Sequence, residues 1–587
     1  MRRALAVALA LAVAVAVACA QQQERVRKEG AADDGDAGLL PAAGAIGTEP
    51  PAPRATAASD GGVIPPGGEP HKPAIVRPGR TDGGTAARAE QGGMLVPVVT
   101  KLPSGATLFE MPANDNAIVN VQLRFRSGAV DDPPGKAGLT YLTARVMAEG
   151  GTQALSAKQL LEALFPLAAE LDVRVDKELT TFRARVHRDN LAKLLPIVSD
   201  VVLRPRWDPE EFRRLRDAAV NDVEKRLRQG DDENLGKESL QELMFREHPY
   251  GRLTLGHASD LKSMVLQDLQ QHAARVFAGE RLTVGLSGGY PAGLGQDLAK
   301  AFSSLPGKAP SPAEIPEASP HRPRFLLVEK ISDSTAISIG MPWNLSHQDR
   351  DWPAMSIARS AFGEHRQFNG RLMQRLREAR GLNYGDYAYI EHFEQEGGDA
   401  AAAQTGRARH QQGFTIWLRP VRDDNRLFAV RAALRELERT LGDEPFSPEE
   451  VEQTKGFLDG YILLFDQTDA RKLGYALDDQ FYGLPGFLSA WRASLRRVTA
   501  DQVNAAWRKW IDPSKLEILL AGKDMAAVKK TVLAGDPTPI QYQRDATGKT
   551  PEKPAGQLAA DKEIEKFPFG ARGDADVQVV PVDRMFE

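Results

Sequence analysis

From Pro306 to Pro323 the chain is dense in proline, which neither a helix interior nor a central strand tolerates, and the segments on either side follow one another in the same order. Before it, Leu102–Phe109 reads as strand, Pro/Gly turn and strand, and Ile118–Phe125 alternates apolar and polar residues as a half-buried strand does. A helical stretch follows Gly138. Asp208-Pro209-Glu210-Glu211 then opens a long charged helix to Arg228, and Arg281–Gly289 is a strand running into a Gly turn. After the proline passage, Phe325–Val328 and Thr335–Gly340 read as strands and a helix starts near Trp352. Ser447-Pro448-Glu449-Glu450 opens a second long helix to about Phe465, and Lys515–Gly522 mirrors the Arg281 strand. Each of those last strands is preceded by a helix, from Leu266 and from Thr499. The order predicts an internal duplication: two homologous α/β halves, 94–305 and 324–535, joined by a linker at 306–323 and followed by a tail at 536–587. Within the tail, Val577–Val582 can add an edge strand.

The N-terminus is organised differently. Arg2 and Arg3 precede an unbroken Ala/Leu/Val run, Ala4–Ala18, too short for a comfortable membrane span but suited to a signal-peptide core. Ala16-Val17-Ala18-Cys19 resembles a bacterial lipobox, which makes 1–19 a lipoprotein-type signal peptide with Cys19 as the acylated residue. Cleavage after Ala18 or Ala20 as a plain secretory signal is the alternative. Cys19 is the only cysteine, so an internal disulfide and a Cys-based metal site are both excluded. Residues 20–93 are rich in Gly, Ala, Pro and Asp without apolar periodicity, which predicts a disordered tether. Together these features place the folded part on the periplasmic side of a bacterial envelope, lipid-anchored, with the outer membrane as the expected site.

Charge offers little guidance, since 75 Lys+Arg against 79 Asp+Glu leave a net −4, and no basic run interleaves with aromatics as a nucleic-acid binder would require. A zinc hydrolase needs converging His or carboxylate ligands and a base beside the bound water. On a helix, two such ligands share a face three or four residues apart, and no two of the ten histidines have that spacing. Nucleophile-elbow, P-loop and dinucleotide motifs are absent as well. The polar cluster Glu391-His392 with Glu394 and Glu396 reads as a solvated strand or loop.

The stretch Ser127-Gly128-Ala129 through Gly138–Met147 resembles the first helix of the insulinase-type (M16) zinc peptidases, which in active members carries H-x-x-E-H. Laid on that pattern, Tyr141 and Arg145 stand at the two histidines and Ala144 at the general-base Glu. Arg offers no lone pair to a metal and Ala takes no proton, so no catalytic or metal-binding residue is expected in this chain. The family's third zinc ligand falls near Glu224, which by itself reads as a surface carboxylate. His248-Pro249-Tyr250-Gly251-Arg252 followed by Gly256 is similar to the family's turn after the long helix, with His248 a turn residue. Gly370–Tyr384 is the most specific match, and it places Arg377 and Tyr384 as the Arg/Tyr pair that the C-terminal half contributes to substrate and oxyanion.

The resemblance covers roughly Leu95 to Gly522. It implies the α+β metallohydrolase fold of insulinase and the mitochondrial processing peptidase, with an antiparallel-rich sheet packed with helices in each half. It further implies a non-catalytic partner of a heterodimeric peptidase, in which a separate H-x-x-E-H subunit supplies zinc and base and an extended peptide is the substrate. The alternative is an inactive peptide-binding or scaffold lipoprotein, and an active enzyme with unrecognised ligands is disfavoured because metal and base are lost together.

Overall fold

The computed structural model describes residues 90–91, 94–95 and 97–587, apart from 114, 313, 321, 366, 394–404, 545–547 and 551. The signal segment, Cys19 and most of the tether lie outside the described residues, as do Glu394 and Glu396. After the short pairing of β1 (Glu90–Gln91) with β2 (Met94–Leu95), two six-stranded sheets carry the fold.

The first sheet comprises β3 (Val98–Lys101), β4 (Thr107–Pro112), β5 (Ile118–Phe125), β6 (Glu170–Val175), β7 (Thr180–His187) and β8 (Leu282–Gly288). The second comprises β9 (Phe325–Glu329), β10 (Thr335–Trp343), β11 (Asn383–Tyr389), β12 (Gln412–Val421), β13 (Glu517–Gly522) and β14 (Val577–Pro581). Read from β6, the first sheet runs β6-β7-β5-β8-β4-β3, and the second runs β11-β12-β10-β13-β9-β14. Five positions correspond one to one, with a parallel contact between the fourth and fifth strands of each, β8 with β4 and β13 with β9. Only the sixth strand differs. In the first sheet it is β3, antiparallel to β4; in the second it is β14 from the tail, parallel to β9. Both sheets are therefore mixed and largely antiparallel, and helices pack on them: a two-half α+β fold.

The helices that matter here are α1 (Leu139–Glu149), α2 (Pro209–Asn221), α3 (Asp232–Met244), α4 (Trp352–Gly363), α5 (Pro448–Tyr461), α6 (Asp469–Tyr482) and α7 (Phe487–Leu495). The two long helices start alike. Asp208 accepts from the Glu210 N–H at 2.8 Å, while Ser447 and Glu450 form a reciprocal capping box, each ahead of a proline at the first helical position.

Each half lends one helix to the other half's sheet. Helix α3 packs on β10 and β13, and α6 packs on β8, where Leu473 and Leu477 meet Phe109 and Met111. This exchange corrects the half-buried reading of Ile118–Phe125. Its polar positions are also buried, because α6 covers them: Arg124 Nη1 meets Asp478 Oδ1 at 2.7 Å and Gln122 Nε2 donates to the Ala470 carbonyl at 3.3 Å. The C-terminus adds another tie. The Phe586 side chain is buried in the first half, its carbonyl accepts from the Ala258 N–H at 2.8 Å, and Arg228 Nε donates to the Met585 carbonyl at 2.6 Å.

Candidate functional site

Helix α1 is a wedge. Leu139, Leu142 and Val146 join a core with α2 and α3, whereas Ala144, Met147 and Ala148 face the core of the first sheet. Its start is fixed by Asp132, whose carboxylate accepts from Gly138 N and Thr140 N at 2.8 Å each and from the Thr140 hydroxyl at 2.6 Å. Burial pushes the Asp132 carboxyl up to about 7 against the pull of those hydrogen bonds. His272 Nε2 lies 2.8 Å from the same hydroxyl, and its Nδ1 faces Arg275 at 3.1 Å. Burial and then the nearby Arg275 and Arg281 push His272 down to about 3, so it is neutral. Gly138 is required at this start: at φ +89° its absent Cβ would stand 2.5 Å from the Gly256 Cα, so the helix begins against the His248–Gly256 turn. His248 serves that turn with both ring nitrogens, accepting from Tyr250 N at 3.0 Å and facing the Pro316 carbonyl at 2.9 Å.

The three motif positions meet different fates. Ala144 is fully buried. Arg145 reaches back over Tyr141, its guanidinium 5.6 Å from the ring centroid and one amino group 3.4 Å from the hydroxyl, and forward to Glu149 at 2.7 and 3.1 Å. Burial opposes the guanidinium charge, but Glu149 and Tyr141 outweigh it, and Arg145 is held even more firmly protonated than usual. Burial raises the Tyr141 hydroxyl, Arg145 counteracts this, and Asp222 raises it further. The acids near Tyr141 are thus Asp222, at the start of the π-helical stretch Asp222–Gly230 that ends the long helix, and Glu149. Glu224, where the third ligand is expected, turns instead to Lys262, whose hydrogen bond holds its carboxyl below the usual range. These residues do not fit a zinc ion: a fixed cation and its carboxylate partner stand where ligands are needed. Among the described residues no group of three or more His, Cys, Asp or Glu is placed to hold a metal.

The second expected pair does come together. Arg377 lies on the π-helical turn Met373–Glu378, and Gly381 at φ +64° reverses the chain into the edge strand β11, which carries Tyr384. The Arg377 guanidinium sits 4.9 Å from the Tyr384 ring centroid and 5.9 Å from that of Phe368. Tyr384 is 72% exposed and Phe368 63%, so the three form a cationic, aromatic surface patch at the start of the sheet's edge strand.

The Glu391-His392 segment is a loop beyond β11, tied to the fold by His347 Nε2 on Glu391 at 3.0 Å and by the His392 N–H on Gln412 Oε1 at 3.0 Å. Sequence reading missed Glu149 and Asp222 as neighbours of the motif, although Glu149 stands one helical turn beyond Arg145 and an i,i+4 ion pair was legible there.

The comparisons with known proteins agree with this geometry. Residues 110–258 match the family model described as insulinase (peptidase family M16), and residues 263–458 match that of the peptidase M16 inactive domain. An uncharacterised zinc protease of Mycobacterium tuberculosis is 25% identical over 427 residues, covering 72% of this chain and 92% of its own. The mitochondrial-processing peptidase subunit beta of Saccharomyces cerevisiae is 24% identical over 38% of this chain and 47% of its own. In fold, the crystal structure of a peptidase M16 inactive domain from Pseudomonas fluorescens superposes with a TM-score of 0.64 at 21% identity, covering 73% of this chain and 98% of that one. A protease from Helicobacter pylori gives 0.61 at 14% identity, covering 73% and 99%. With both halves matched in order and the same two-sheet fold in place, the chain belongs to the M16 (insulinase-type) peptidase family.

Proposed function

We propose that this chain is a non-catalytic subunit that presents extended peptides to a zinc-bearing M16 subunit carrying H-x-x-E-H. The observation that carries the reading is the contrast between its two sites. The motif positions on α1 are closed by an Arg145–Glu149 ion pair and a buried Ala144, while Arg377 and an exposed Tyr384 meet at the start of the edge strand β11. Such an edge accepts a peptide as an added strand through main-chain hydrogen bonds. Arg377 offers a fixed fork of donors to a peptide carbonyl, and the Tyr384 hydroxyl can donate to the oxyanion that develops during carbonyl attack. The zinc and the general base belong to the partner in this reading. The yeast relative is by its own name one subunit of a peptidase, which favours a divided arrangement.

The same reading places the protein at the periplasmic face of a bacterial envelope, held by a lipid on Cys19. A Cys19→Ser variant that leaves the membrane fraction supports that anchor, and one that stays membrane-bound counts against it.

Function is tested by mixing. The purified chain is combined with an M16 chain that carries H-x-x-E-H, and cleavage of a quenched fluorescent peptide is followed. Cleavage by the mixture but by neither chain alone supports the reading. Chelator-sensitive cleavage by this chain alone overturns it. Peptide binding without any enhancement of cleavage would assign the chain instead as a peptide-holding scaffold, a role the exposed Tyr384–Phe368 patch could also serve.

A further inference from the structure

A partly open cavity of about 120 Å³ lies in the second half and shares no lining residue with the α1 motif or the Arg377 patch. Its wall is an arc of rings in mutual contact. Phe487 stacks on His347 at 4.3 Å and on Trp491 at 5.8 Å, and Phe465 continues the arc at 6.1 Å from both Trp491 and Tyr475. Trp352 closes the other end, 4.4 Å from His347.

Three of these rings carry polar atoms with no hydrogen-bond partner among the described residues: the indole N–H groups of Trp352 and Trp491 and the hydroxyl of Tyr475. The three residues are 3%, 8% and 9% exposed. Buried donors are rarely left unmade, so three around one cavity suit an acceptor brought in by a ligand.

The charges are uneven. Glu364 is matched by Arg359 at 2.5 Å, Glu391 by His347 at 3.0 Å and Asp478 by Arg124 at 2.7 Å. Asp479 accepts from the Phe487 N–H at 3.0 Å, and among the described residues no cationic side chain forms an ion pair with it. Burial pushes its carboxyl up to about 7, the Phe487 N–H pulls it down, the neighbouring Asp478 pushes it up again, and His347 and the Gly486 N–H pull it down by less. A cation in the cavity would compensate this carboxylate, and the faces of Trp, Tyr and Phe rings attract the same charge. A cavity of about 150 Å³ takes benzene, so this one suits a head of about five heavy atoms.

We propose that this pocket binds a small alkylated ammonium ion, its cationic head held between the aromatic rings and Asp479 and an oxygen on its chain accepting from the indole N–H groups. The site is independent of the proposed peptide-presenting role.

Choline is the probe. It is titrated into the protein at pH 8 and constant ionic strength, with tryptophan fluorescence and calorimetry as readouts. The expected result is saturable binding that 3,3-dimethylbutan-1-ol, a neutral molecule of the same shape, does not compete with. Asp479→Asn weakens choline binding by about tenfold, Trp491→Leu abolishes it, and Trp491→Phe restores most of it. The proposal is overturned if choline shows no saturation, if the neutral alcohol binds as tightly, or if Asp479→Asn leaves the affinity unchanged. The choline-against-alcohol comparison needs only the wild-type protein, so it decides the matter even where Trp491→Leu fails to fold.

Discussion

Arg409 of the second half closes a fork on Asp176 of the first, Nε donating to Oδ2 at 2.8 Å and the terminal amino group to Oδ1 at 2.5 Å, with both side chains buried. The fork lies beside the motif loop, because the Asp176 carbonyl accepts from the Ala129 N–H at 3.0 Å. Next to it, Glu178 accepts from the His410 N–H at 2.8 Å and from the Tyr250 hydroxyl. The two halves are thus joined at the turn between β6 and β7 by charge as well as by exchanged helices.

Breaking one side of this fork strands the other. Arg409→Met is expected to lower stability by about 3–5 kcal/mol, since Asp176 is left as an uncompensated buried charge. Burial alone would raise the Asp176 carboxyl; Arg409 outweighs it and holds the group well below the usual range. A depressed carboxyl contributes stability above its unfolded value near pH 4, lost only as pH falls through the lower folded value. The wild-type contribution is therefore level from pH 5 to 8. Urea unfolding at pH 7 checks the loss, and the double variant Asp176→Leu/Arg409→Met should recover part of it.

Tyr384→Phe tests the exposed patch without touching the core. With the ring 72% exposed and only its hydroxyl removed, the melting temperature should not change. In the reconstituted pair, kcat for peptide cleavage should fall by about 10²-fold, the loss typical of one oxyanion donor. An unchanged rate would remove Tyr384 from the proposed role.

Writing the zinc motif back should fail. Tyr141→His/Ala144→Glu/Arg145→His supplies two ligands and a base, but Ala144 is fully buried against the first sheet and Glu224 is held by Lys262. A carboxylate at position 144 is expected to lower stability by about 2 kcal/mol or more. Metal analysis after dialysis should find less than stoichiometric zinc. A stoichiometric, catalytically competent site would mean that the frame still accommodates the metal.

The duplication was legible because its signals are local: helix openings at Asp208 and Ser447, and paired strands at Arg281 and Lys515, each decided by a few adjacent residues. The exchange of helices was not. The polar side of Ile118–Phe125 has the alternation of a solvated face, and only Ala470 and Asp478, some 350 positions away, reveal what covers it. The sites divide in the same way. Tyr141, Ala144 and Arg145 fall on one helix at family spacing and could be placed by residue. The aromatic arc is assembled from α4, α6, α7 and intervening segments, whose Trp and Phe residues read in sequence as ordinary core.

Asp386 gives the second half a pH dependence with a definite sign. It is buried on β11, two residues beyond Tyr384; Asn383 donates to one carboxylate oxygen, and the other has no partner among the described residues. Burial pushes its carboxyl up to about 7, while Asn383 and the positive field of Arg377 pull it down. Between pH 4 and 7 the folded state therefore holds a proton that the unfolded state has released, so stability falls as pH rises through this window and is level above it. Asp386→Asn removes the slope. The variant should match the wild type at pH 5 and exceed it at pH 8 by roughly 2–4 kcal/mol. Arg377→Leu should act in the opposite direction, because without the guanidinium the carboxyl is harder to ionise and the loss between pH 5 and 8 grows. Unfolding curves for the three proteins at the two pH values measure both effects. Equal shifts at both pH values would show that Asp386 is not the titrating group, while opposite slopes would tie the exposed Arg377–Tyr384 patch electrostatically to the buried acid on its own strand.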